Sequence, residues 1–376
     1  MSVKRLFITG YYGMRNTGDD GMAWCLTRGI HHFRPDVEIL IAASSAIELP
    51  PDSKDRVEIV DRSPKNVIRH ILDCDALMWG GGTSIFSYRG KSWKWYKMIL
   101  RQLIMFRLAR LLRKKGFFEG IGLGPFHSRL AEWLARKTIA ATDHVSVRDS
   151  EALAYLQKWK LAHRATSSFD LTAILMSEYE TQKIAPPSDK FVLGMSLLPY
   201  YEMFQPDQDK DPLLRDRIVE AIDANLTRHP DLEVRLFVFK DRNRDHDVDF
   251  IEDVQAHVAD RERVRIVPYN PNPVQRLVEM GQCHAFMGMR LHSSIFAFLC
   301  DLPMVILNYH RKCPILHEQI GLPGDAILGL DDIEAGKMIE PMHRLVENRD
   351  HFRATYDRDE AERLAWRAIE ELCKHL

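Results

Sequence analysis

Arg290, Leu291 and His292 put a guanidinium and an imidazole two residues apart, between an apolar strand-length run at 284–289 and an apolar helix-like run at 295–300. The first amides of a helix lack intrahelical partners, and the helix start carries positive potential. With Ser293 and Ser294 behind it, this turn has the makings of an anion site. In open α/β sheets, ligands bind at such strand ends. The plainer alternative is a solvated turn that happens to carry charge. Arg148 repeats the geometry in the other half of the chain: it follows an apolar run at 144–147 and precedes a helix that Asp149 or Ser150 would cap. Arginine's planar fork suits bidentate binding of carboxylate or phosphate. Two such arginines, one per half, could close on a small dianion; Arg148 paired with a neighbouring acid is the competing reading.

Three glycine-rich turns follow strand patterns. The first, Thr9-Gly-Tyr-Tyr-Gly-Met-Arg-Asn-Thr-Gly-Asp-Asp-Gly21, is not a G-x-G-x-x-G spacing, and no phosphate-binding lysine follows it. Two aspartates there would repel a pyrophosphate. Asn16, Asp19 and Asp20 are better suited to grip hydroxyl groups, as a sugar acceptor presents; capping of the next helix by Asp19 or Asp20 is compatible with that. Gly80-Gly81-Gly82 and Gly120-Ile-Gly-Leu-Gly124 complete the set, and backbone without Cβ atoms admits a close ligand.

Other charged groups carry less. Asp245-His-Asp247 lacks a partner at helical spacing and lies in the dense charge of 240–249, which reads as a solvated loop. The segment 93–115 holds eight Lys and Arg and no acid, interleaved with aromatics. That mixture suits anionic lipid or a lipid-linked phosphate. A helical wheel yields no single clean face, so a packed helix with snorkelling arginines is the favoured alternative.

These residues need a frame. Strand patterns at 6–9, 38–42, 76–78, 117–121, 144–147 and 167–171 alternate with helical ones, which predicts βα units and mostly parallel sheets. A polar stretch at 177–190 reads as the interdomain linker, after which the βα pattern restarts. The chain closes on a helix with Leu364, Ala365, Ala368, Ile369 and Leu372 on one face. The expected organisation is two Rossmann-like domains, 1–180 and 190–335, and a helical segment, 336–376, packing back on them. At 376 residues and a net charge of -1, the chain shows no global drive toward nucleic acid. Six scattered cysteines without a C-x-x-C pair fit a reducing cytoplasm, and no run is long and apolar enough to span a membrane.

Taken together, the Gly13-to-Asp20 loop, Gly80-Gly81-Gly82, 120–124, Ser146-Val-Arg-Asp149, Asp170 and Gly288-Met-Arg-Leu-His-Ser293 resemble the polysaccharide pyruvyl transferases. One departure is Asp20, where the family more often has glutamate. The resemblance implies an α/β, GT-B-like fold, two Rossmann-like domains with mostly parallel sheets facing a central cleft, the first on the acceptor side and the second on the donor side. It implies phosphoenolpyruvate as donor and a sugar in a surface or lipid-linked glycan as acceptor. His292, Arg290 and Arg148 are then the catalytic residues. Arg148, Arg290, Ser293 and Ser294 bind the donor, and Asn16, Asp19, Asp20, Gly81 and Gly82 the acceptor. No metal and no cofactor beyond the phosphoenolpyruvate co-substrate is expected. Peripheral contact at the inner face of the cytoplasmic membrane through 93–115 is the accompanying expectation. The nearest rivals are a GT-B nucleotide-sugar glycosyltransferase in cell-surface polysaccharide synthesis, and a non-catalytic glycan-assembly component that would tolerate loss of Arg290 and His292.

Overall fold

The apolar runs become strands, and intervening helices carry the chain back so that each new strand lies parallel to its neighbour. In the computed structural model, which describes residues 3–87, 93–204, 210–241 and 246–376, the chain forms two compact units. The first comprises Met1–Met14, Asp19–Ile174 and Asp359–Leu376; the second comprises Arg15–Gly18 and Leu175–Arg358.

The first unit holds β1 (Arg5–Tyr12), β2 (Glu38–Ala43), β3 (Val57–Asp61), β4 (Ala76–Ser87), β5 (Lys115–Phe126), β6 (His144–Val147) and β7 (Ala165–Ser167). They form one parallel sheet in the order β3-β2-β1-β4-β5-β6-β7. The second unit holds β8 (Phe191–Ser196), β9 (Leu232–Phe237), β10 (Val264–Val267), β11 (Ala285–Gly288), β12 (Met304–Asn308) and β13 (Ile327–Gly329). Their order is β10-β9-β8-β11-β12-β13, again parallel throughout. Central strands such as β5 are buried along almost their whole length, which is why they read as apolar runs rather than alternating ones. In each sheet the winding reverses once, between β1 and β4 and between β8 and β11. Those are the topological switch points at which doubly wound sheets take ligands.

Several boundaries differ from those read off the sequence. The first helix starts at Thr17 and runs to Phe33, so Asp19 and Asp20 lie inside its first turn. The stretch expected as linker opens with a helix, Met176–Gln182, that buries Tyr179; the division between units falls just before it, at Leu175. The segment drawn from 336 onward is divided. The helix Ile339–Glu347 belongs to the second unit, whereas Arg358–His375 packs with the first. The latter buries Ala365, Ala368, Ile369 and Leu372. Gly29 on the first helix makes room for it, since a Cβ there would lie 2.9 Å from Ile369 Cγ2.

Candidate functional site

In the second unit the turn after β11 is shaped by its own backbone and hydroxyls. Arg290 is extended (φ -71, ψ 134) and precedes the helix Leu291–Leu299. Ser293 Oγ donates to the Arg290 carbonyl at 2.7 Å, and Ser294 Oγ donates to the Gly288 carbonyl at 3.4 Å. Both serines are buried, so in this structure their hydroxyls hold the turn. Gly288 permits the packing: a Cβ there would sit 2.4 Å from Ser294 Oγ.

The Arg290 guanidinium is fixed by a residue that the sequence reading dismissed. Its Nε and Nη2 donate to Asp247 Oδ1 at 2.7 and 2.5 Å. The other carboxylate oxygen accepts the Phe239 and Lys240 amides, both at 3.0 Å. Asp247 and Lys240 are fully buried. The expected solvated loop at 240–249 is therefore corrected at both residues; Asp245 lies outside the described residues. Burial pushes the Asp247 carboxyl up from its ordinary value, while Arg290 and the two amides pull it down. At the neighbouring strand end, Tyr309 accepts the Leu291 amide, and burial raises its phenol. Burial, reinforced by Lys312, pushes His310 down to about 3, so its imidazole is neutral.

His292, on the first turn of its helix, faces Gly18. A Cβ at Gly18 would lie 2.1 Å from His292 Cγ and 2.2 Å from Nδ1. Gly18 is held there by a short strap. Thr17 N donates to the Phe239 carbonyl at 3.0 Å, and Thr17 Oγ1 to the Asn270 carbonyl at 3.2 Å. Arg15 (φ 50) pairs with Asp241, and its guanidinium lies 4.7 Å from the Tyr269 ring centroid. Asn16 bridges to Lys240, and its Oδ1 accepts the Gly18 amide at 3.3 Å. Asn16 thus belongs with the second unit, while Asp19 and Asp20 belong with the first.

In the first unit Gly10 of β1 lies beside Gly80, and Gly80–Gly82 sit inside β4 rather than in a turn after it as expected. Tyr12 Oη donates to the Gly80 carbonyl at 2.6 Å, and burial raises that phenol, with Asp19 and Asp20 adding to the effect. Asp20 is buried and accepts the Gly13 amide at 2.8 Å, so it shapes the loop. Asp19 is half-buried beside Gly82: a Cβ at Gly82 would lie 3.4 Å from its Oδ1. Gly81 packs on Met22. Arg148, at the end of β6, is buried and paired with buried Asp170. Asp170 Oδ1 in turn accepts the Thr172 amide at 3.0 Å. Asp149 caps the next helix by accepting the Ala152 amide at 2.7 Å. Glu119 was not singled out from sequence. It lies buried on β5, accepts the Ser146 hydroxyl, and burial pushes it up to about 8.

Among the described residues one group brings metal-ligand atom types together. His229, His343 and Glu347 lie in the second unit, with His229 Nε2 2.9 Å from His343 Nδ1 and His229 Nδ1 3.3 Å from Glu347 Oε1. All six cysteines are buried. No helix among the described residues is long and apolar enough to cross a membrane.

The sequence profile of the polysaccharide pyruvyl transferase family matches residues 16–311, from the strap to the end of the Tyr309-His310-Arg311 turn. The amylovoran biosynthesis protein AmsJ of Erwinia amylovora is 26% identical over 92 residues, which is 24% of this chain and 22% of that protein. The aligned stretch thus spans less than a quarter of that relative. UDP-GlcNAc 2-epimerase from Neisseria meningitidis, solved with UDP-GlcNAc, superposes with a TM-score of 0.66 at 10% identity, covering 98% of this chain and 99% of that one. Anabaena Alr3699/HepE, solved with UDP and glucose, gives 0.53 at 12% identity, covering 99% and 98%. At these identities the likeness concerns the fold, which is GT-B-like.

Proposed function

Because the chain belongs to the polysaccharide pyruvyl transferase family, we propose that it transfers the pyruvyl group of phosphoenolpyruvate onto two hydroxyls of a glycan sugar, with release of phosphate. The observation that carries this reading is the Arg290–Asp247 latch two residues from His292, at the switch point of the second sheet. A buried carboxylate aims a guanidinium beside an imidazole at a helix start, where anions are favoured.

Phosphoenolpyruvate carries a carboxylate and a phosphate, so it calls for cations at both ends. Arg290 is one; Arg148 matches the family motif for the other. Its planar guanidinium, held by Asp170, suits a carboxylate or phosphate. Protonation of C3 makes C2 an oxocarbenium-like electrophile. A sugar hydroxyl adds to C2 and loses its proton. A second hydroxyl of the same sugar then attacks C2; the C2–O bond to phosphate breaks, and the proton leaves with the phosphate. His292 supplies the acid–base group for these transfers, and arginine stabilises the departing phosphate. Asp19, half-buried beside Gly82, is the acceptor-side carboxylate offered to a hydroxyl. No step calls for a metal or an organic cofactor.

The fold neighbours solved with UDP-GlcNAc or with UDP and glucose favour a second reading, a nucleotide-sugar glycosyltransferase. Phosphate release from phosphoenolpyruvate in the presence of a glycan acceptor supports the first. Nucleoside diphosphate release from a sugar nucleotide supports the second. Under the first, His292→Ala abolishes transfer while donor binding persists; wild-type turnover by that variant removes His292 from the mechanism.

A further inference from the structure

The helix Trp93–Leu111 of the first unit is apolar on two opposite faces. Ile99, Met105, Phe106 and Ala109 point into the unit's core. On the other side, Trp93 (74% exposed), Leu100, Ile104 (57%) and Leu111 (79%) lie open to solvent. At 100° per residue these four fall within a narrow arc, flanked on one side by exposed Lys97 and Arg101 and on the other by Arg107. The helix carries five cations and no acid. A two-faced apolar pattern with cations between is what defeats a search for one clean amphipathic face.

The surface continues onto the next helix of the same layer, Arg129–Ile139, through exposed Leu130 and Trp133. Tyr96 Oη donates to Ser128 Oγ at 2.8 Å, which ties together the starts of the two helices. Lys137 Nζ lies 5.7 Å from the Trp133 ring centroid. Tryptophans, aliphatic side chains and snorkelling cations in one layer are the composition of a surface that enters the headgroup region.

From this we infer that the outer face of helices Trp93–Leu111 and Arg129–Ile139 docks on an anionic lipid bilayer. Charge decides the occupant. A second copy of the chain presenting the same patch would set Arg101 and Arg107 against their own kind, whereas an anionic leaflet complements them. The apolar side chains reach the acyl boundary and the cations stay with the headgroups. This inference is independent of the donor chemistry. It concerns where the enzyme meets an acceptor.

Vesicle co-sedimentation of the full chain tests it, with phosphatidylcholine alone and with phosphatidylcholine–phosphatidylglycerol mixtures. Binding is expected to the anionic vesicles only and to weaken as salt shortens the Debye length. Arg101→Gln with Arg107→Gln should lower partitioning roughly thirtyfold, the equivalent of about 1 kcal/mol per cation. Trp93→Ala with Ile104→Ala should lower it at least as much with the cations retained, through lost apolar burial. All four side chains are solvent-facing, so melting temperature and activity on a soluble acceptor should match wild type. Equal binding to neutral vesicles, or partitioning unchanged in both variants, overturns the inference. So does self-association through this face without vesicle binding, which would make the patch a homodimer interface.

Discussion

Asp247→Asn asks whether Arg290 must be held to work. The carboxylate takes four donors, two from the guanidinium on Oδ1 and two backbone amides on Oδ2. An amide in its place offers one acceptor oxygen and one NH₂. Whichever way it turns, either the guanidinium or the pair of backbone amides meets another donor. Breaking a buried ion pair from one side costs about 3–5 kcal/mol, and a charged hydrogen bond alone contributes about 1.5–3 kcal/mol. At roughly 2–4 °C per kcal/mol for a unit of this size, the melting temperature should fall by about 6–20 °C. Well below that transition the protein remains folded, but the guanidinium is no longer aimed. Loss of an aimed charged contact should then lower kcat/KM for phosphoenolpyruvate by roughly 100- to 1000-fold, that is about 3–4 kcal/mol. The rise should appear in KM for the donor and leave KM for the acceptor near wild type. Steady-state phosphate release with each substrate varied in turn, beside a thermal melt, reads all of this. A variant that melts early yet keeps wild-type kcat/KM for the donor refutes the latch as a functional device. An unchanged melt refutes the ion pair itself.

Other expectations are more compact. Gly18→Ala would ordinarily favour a helix by about 0.5–1 kcal/mol. Here the new Cβ would stand 2.1 Å from His292 Cγ, so the ring must move; activity should fall at least about tenfold with little change in melting, and wild-type turnover counts against the contact. Glu119→Gln addresses pH. The folded carboxyl titrates at about 8 against about 4.3 in an unfolded chain. Its stabilisation is therefore complete below the unfolded value and is lost as pH rises to about 8, at about 1.4 kcal/mol per unit. Urea midpoints across that window should slope downward in wild type and be flatter in the variant; parallel slopes disprove the assignment. Asp170→Asn should destabilise the first unit by about 3–5 kcal/mol through the orphaned Arg148 charge, read as a lowered urea midpoint. A midpoint equal to wild type would show that the pair contributes nothing.

The architecture was legible because strands buried on both faces write long apolar runs, and a terminal helix with one packed face writes a 3.6-residue period. The Arg290 and Arg148 turns were legible for the same reason, as charge at the end of an apolar run. Asp247 was not. Its neighbours in sequence are charged and it follows no strand directly, so only the fold reveals that its carboxylate turns inward onto Phe239, Lys240 and Arg290. Glu119 was hidden inside a glycine motif, where the eye follows the glycines. Asn16, Asp19 and Asp20 were grouped by adjacency, yet the division between Gly18 and Asp19, inside the first helix, assigns them to different units. The 93–115 segment gave no clean face on a wheel because a wheel seeks one apolar face and this helix has two.

Neither unit is a contiguous stretch of chain. The second incorporates Arg15–Gly18, which precedes most of the first, and the first is closed by Asp359–Leu376, which follows the second. Domains made on the ribosome usually fold in the order they emerge. This chain cannot follow that order to completion: its first core waits for a helix that follows the second unit, and its second must keep a strap that was translated some 160 residues before the body it belongs to. A cut at Leu175, natural or engineered, would yield two incomplete fragments rather than two enzymes' worth of parts.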